Sequence, residues 1–133
     1  MCWTSVFVPE DLIAEKDITV FKFTARDCKS SIFCSYYYKY AYEKGITQPC
    51  INIEPCYFRH YWHIDEGYHS YKTLRRIRMF NPVLELCNYM VGVFIIPKGS
   101  KYYENFGGEI VSESIIYTGL CGSLQHLTEQ LEQ

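Results

Sequence analysis

Residues 92–117, GVFIIPKGSKYYENFGGEIVSESIIY, constrain this chain more than any other stretch. Strand-like runs fall at about 89–96 and 109–117, with a shorter one around 100–104. A Pro-Lys-Gly-Ser corner and a Gly-Gly turn separate them. Pro97 fixes φ and withholds one amide donor, which suits a strand leaving a sheet, and Gly99 permits the reversal. Gly107 and Gly108 supply the positive φ angles that a tight hairpin wants. Connections this short favour antiparallel pairing.

The rest of the chain extends that pattern. DITVFKFTA (17–25) alternates Ile18, Val20 and Lys22 against Thr19, Phe21 and Phe23, as a strand does. SIFCSYYYKYAYE (31–43) also reads as a strand, with Tyr36, Tyr38, Tyr40 and Tyr42 on one face. Pro49 and Pro55 argue against a long central helix. After Gly67 the period changes. SYKTLRRIRMFNP sets Leu74 and Ile77 against Lys72, Arg75 and Arg76, which predicts a short amphipathic helix over about 70–81, capped by Ser70 and ended by Pro82. Leu124, Leu127 and Leu131 form a helical stripe near the C-terminus. So short a helix must pack on this domain or on a partner. The expected fold is therefore α+β: a single domain over 1–133, mostly antiparallel sheet, with two short helices.

At 133 residues the chain can bury a core without staples. A net charge of −2 gives no field that would draw it to long nucleic acid or an acidic membrane. The opening MCWTSVFVPEDLIAEKD lacks the basic and long apolar regions of a secretory signal. The longest apolar run, near Met90–Ile96, falls far short of a membrane span. These features predict a cytoplasmic protein whose seven cysteines are reduced, most of them small buried hydrophobes.

Cys50, Cys56, His60, His63 and His69 raise the question of a metal. Cys-x5-Cys is not a metal-wrapping knuckle, however, and Arg59, Tyr61 and Trp62 interrupt the histidines, so no metal is expected. Cys28 and Cys34 lack a motif for nucleophilic catalysis, and no phosphate loop or dinucleotide fingerprint is present. The aromatic belt between Tyr36 and Tyr71 is more informative. It contains eleven aromatic residues, interspersed with Lys39, Arg59, His60, His63 and His69. Rings stack on a flat base while cations neutralise phosphate, and tyrosine also gives contact area at low entropic cost. A tyrosine-rich core fits the same composition.

Met1-Cys2, the strand Asp17–Lys22, the segment Gly67–Tyr71 and the corner Ile96–Tyr103 together resemble a group of small uncharacterised proteins of bacteriophages and gut Bacteroides-type genomes. That resemblance spans most of the chain and implies a phage-type accessory role, such as countering host defence. A fainter likeness is to ADP-ribosyltransferase folds, in which a strand cation, a serine strand and a glutamate serve NAD. It implies Lys22, Ser70 and either Glu109 or Glu113. Lysine in place of the forked guanidinium, and the absence of a Glu-x-Glu pair, depart from that pattern.

These readings converge on a non-enzymatic protein, without catalytic residues or cofactor, that sequesters a nucleotide-like small molecule. Tyr36, Tyr38 and Tyr102 would stack on the base, and Lys22, Arg59, His69 and Lys98 would meet phosphate. The alternatives are a module that covers a host protein with a tyrosine-rich surface, and an enzyme of transferase type. Self-association through the C-terminal helix would make the protein a homo-oligomer.

Overall fold

A computed structural model describes residues 3–24, 42–78 and 90–131, and the account that follows concerns these. Ten strands and two short helices follow one another in the order β1 (Trp3–Ser5), β2 (Leu12–Ile13), β3 (Ile18–Thr24), β4 (Cys56–Phe58), β5 (Tyr61–Ile64), β6 (Tyr68–Tyr71), α1 (Leu74–Arg78), β7 (Met90–Ile96), β8 (Lys101–Glu104), β9 (Glu109–Ser112), β10 (Ile116–Gly122) and α2 (Leu124–Leu131). Seven strands form one sheet, in the order β10-β7-β3-β6-β9-β8-β2. The other three form a small sheet, β1-β5-β4. Every pairing between these strands is antiparallel. No described helix is long and apolar enough to cross a membrane.

The Pro97–Ser100 corner decides the shape of the large sheet. β7 and β8 are four strand intervals apart, about 19 Å on a flat sheet. Only four residues join them, and these are folded into a turn in which Ser100 N donates to Pro97 O at 3.1 Å, with Gly99 at φ 90°. The sheet must therefore curl until its ends approach. Ala14 and Ser100 carry the ladder across the bend, linking β3–β7 to β2–β8 (Ala14 N to Ser100 O, 2.9 Å).

The inside of the curl is an apolar core of Ala14, Val20, Tyr42, Tyr68, Phe94, Ile96, Ile110, Ile115 and Tyr117. Strand alternation sends Phe21, Phe23, Val91 and Val93 to the outer face, where Leu74 and Ile77 of α1 and Leu127 of α2 cover them. The rest of that face, around Val111 and Tyr103, is covered by Trp3 and Ile64 of the small sheet together with Ile53.

Several sequence expectations need correction. The helix expected over 70–81 begins only at Leu74, because residues 68–71 are the strand β6. Thr73, not Ser70, caps it, its Oγ1 accepting from Arg76 N at 3.2 Å. Residues 79–81, and most of the expected tyrosine strand 31–43, lie outside the described residues. The single strand expected over 109–117 is two, because the chain turns out at Glu113–Ile115. There Ser112 Oγ donates to Ser114 O, and Ser114 Oγ donates to Gln48 O. Only Gly108 of the Gly-Gly pair has positive φ. α2 packs its Leu127 on its own domain, one of the two outcomes its length allowed. Among the cysteines, Cys50 and Cys56 are free but exposed, and Cys121 is disulfide-bonded.

Candidate functional site

Of the described residues expected to hold a ligand, Lys22 and His69 come together, while Arg59, Lys98 and Tyr102 are carried on different segments. Lys22 lies inside the curled sheet, only 2% exposed, and its ammonium donates to His69 O. That contact brings Lys22 and His69 together, with the lysine facing the core. The His69 ring is half-buried, its Nε2 3.2 Å from Asp65 O. Burial first, and the nearby Lys22 ammonium second, pull its pKa down from 6.5 to about 4. A neutral imidazole cannot neutralise phosphate at physiological pH.

Arg59 is at the tip of the β4–β5 hairpin, whereas Lys98 is in the corner after β7, where its backbone N donates to Asp17 Oδ1 at 2.9 Å. Tyr102, on β8, packs partly buried against the inner core. Tyr36 and Tyr38 lie outside the described residues. The transferase-like set is divided too. Lys22 and Ser70 face the inner core. Glu109 pairs in register with Tyr71 on the opposite face, its Oε1 3.5 Å from Arg76 Nη2. Glu113 Oε1 instead accepts from the backbone N of Lys101 at 2.9 Å. Among the described residues, no three His, Cys, Asp or Glu side chains come together to hold a metal.

The aromatic belt separates into two populations. Tyr42, Tyr68 and Tyr71 are core residues, and the Tyr68 hydroxyl is satisfied by donating to Pro49 O at 2.8 Å. Tyr57, Phe58 and Tyr61 stand exposed on the small sheet, with the Arg59 guanidinium 5.1 Å from the Phe58 ring centre. Arg59 and His60, which turn the hairpin, both hold positive φ, 52° and 73°. Such angles cost a residue with a Cβ about 1–2 kcal/mol each. The two residues form a two-residue loop of the kind usually given to Asn-Gly.

Next to the other edge of the small sheet, Val6, Phe7 and Val8 follow β1 as exposed apolar residues, and Phe7 lies beside the exposed Phe106. Phe106 is 95% exposed, and its ring centre is 6.4 Å from that of Phe7. The turn presenting it is fixed by Asn105. Its Oδ1 accepts from Gly107 N and Glu109 N, both at 3.0 Å, and its Nδ2 donates to Thr4 O at 2.9 Å. Ser5 Oγ accepts from Phe7 N at 3.1 Å, which shapes the bend after β1. These local hydrogen bonds hold Phe106 out in solvent beside Phe7. The sequence carried a signal for it. In Asn-Phe-Gly-Gly a phenylalanine occupies the middle of a turn, where no core can reach it.

No protein-family model, curated protein or solved structure matches this chain.

Proposed function

We propose that this protein is a non-enzymatic binding module that covers a protein partner with the rigid apolar patch of Val6, Phe7, Val8 and Phe106. The carrying observation is the fully exposed Phe106, locked by three Asn105 hydrogen bonds beside an exposed Phe7. An interface core is depleted of charge and enriched in aromatic residues, and this patch has that composition. The cations of a phosphate site, by contrast, are buried in the core or set on separate corners. A phage-type accessory protein of the cytoplasm that blocks a host macromolecule fits this surface.

The test compares the wild-type protein with a Phe7→Ser/Phe106→Ser double variant. Both side chains are exposed, so the variant should melt at the wild-type temperature. A host protein retained by the wild type, lost by the variant and rebound in purified form supports the reading. A nucleotide that raises the melting temperature of both forms alike would replace it with sequestration. At 100 times its Kd such a ligand adds about 2.7 kcal/mol.

A further inference from the structure

Among the described residues nothing pairs with the β4 edge, on the opposite side of the small sheet from the patch. Because Arg59 and His60 make a two-residue loop, Phe58 and Tyr61 are the hydrogen-bonded pair nearest the turn. Alternation then makes Tyr57↔Trp62 a non-hydrogen-bonded pair and Cys56↔His63 a hydrogen-bonded one. The N–H and C=O of Tyr57 therefore point away from β5. No described backbone group takes them, and the side chains of Cys56, Tyr57 and Phe58 are all exposed. An open edge of this kind is a template for another strand.

We propose that the strand it takes is β4 of a second copy of this chain, paired antiparallel about a two-fold axis through Tyr57. Three features of the segment are self-complementary in that register. Tyr57 of each copy donates its N–H to the other's Tyr57 carbonyl, so both open groups are satisfied on both chains. Cys56 faces Phe58 of the other copy on the outer face, as a close non-hydrogen-bonded pair. Glu54 faces His60 with Arg59 beside it, so the acidic end of each strand meets the basic end of the other. The Glu54 carboxylate otherwise accepts only from the Asn52 amide, at 3.2 Å, among the described residues. Pro55 has no N–H to extend the ladder, so pairing stops at one bonded pair and closes as a dimer rather than a fibre.

Sedimentation equilibrium of the purified full chain, without host extract, tests this independently of the partner reading. The wild type should be a dimer that dissociates on dilution. Tyr57→Pro removes the outward donor and leaves the β4–β5 ladder untouched, and it should give a folded monomer. Glu54→Arg should weaken the dimer several-fold, and Glu54→Arg/Arg59→Glu should restore it. Oxidised glutathione should convert Cys50→Ser/Phe58→Cys into a covalent dimer, with Cys56 joined to the introduced thiol and two glutathiones released. Cys50→Ser alone should stay uncrosslinked at these positions. A wild type that is monomeric at every concentration would overturn the proposal. So would a dimer indifferent to Tyr57→Pro that forms no such crosslink.

Discussion

Phe94 and Phe58 are the same side chain placed on two sheets of opposite character. Phe94 is wholly buried in the curled sheet, with Tyr42 and Tyr117 rings 4.9 and 5.1 Å from its own. Phe58 stands in solvent on a three-residue edge strand, touched by an arginine from its own turn. The inner face of the large sheet uses aromatic residues to fill space, whereas the β4–β5 hairpin of the small sheet presents Tyr57, Phe58 and Tyr61 as surface. Stability should therefore reside in one region and recognition in the other. Phe94→Ala is expected to cost about 3–5 kcal/mol in urea denaturation, and Phe58→Ala less than about 0.5 kcal/mol. Equal costs would break the comparison, because the hairpin would then be part of the core.

His69 lies where the two regions meet, and it gives the next largest effect. Its folded pKa of about 4 is below the unfolded 6.5, through burial and the Lys22 ammonium. Between those values the unfolded chain binds a proton that the folded chain refuses. The contribution is complete above pH 6.5 and declines as pH falls toward 4, by no more than about 3 kcal/mol. Denaturation midpoints measured across that window should fall steadily for the wild type and more shallowly for His69→Gln. A flat wild-type profile would mean that the ring is hydrated and the boundary open.

The division between sheets explains what could be read in advance. Residues 18–24 were legible because alternation is local, and Val20 and Phe21 do face opposite cores. Leu74, Ile77 and Leu127 were legible for the same reason at helical period. Lys22 was not, because nothing local says that both faces of β3 are buried. A lysine in an alternating strand reads as an exposed cation until the curl of the sheet is known. The Glu109–Tyr117 run hid its break, since Ser112 and Ser114 act through Gln48, which is distant in sequence. Ser70 read as a helix cap because serine suits that role, while the β6–β9 pairing that claims it is long-range. For the site, composition identified the aromatic residues but could not sort core rings from surface rings.

Gly67 tests how firmly the two sheets are joined, since it links β5 of the small sheet to β6 of the large one. Its φ is 130°, and a Cβ there would lie 2.6 Å from both Ile53 Cγ2 and Val111 Cγ2. Gly67→Ala combines backbone strain with overpacking of the core between the sheets, and about 2 kcal/mol is expected. The informative measurement is amide hydrogen exchange alongside the melt. Faster exchange confined to β1, β4 and β5 would show the small sheet opening by itself, whereas uniform acceleration would make the two sheets one cooperative unit.

A last effect should have the opposite sign. His60 is exposed and holds φ 73°, which glycine adopts without a Cβ penalty. Relief of about 1–2 kcal/mol of strain is partly offset by glycine's greater freedom in the unfolded chain. His60→Gly should therefore stabilise the protein by about 0.5–1 kcal/mol in the same urea titration. The hairpin geometry, and with it the outward direction of Tyr57, should persist because a two-residue loop of this type prefers glycine. A destabilised His60→Gly protein would mean that the imidazole makes a contact worth more than the strain. The hairpin tip would then belong with the packed region, and the contrast between the two sheets would narrow to the Phe106 patch.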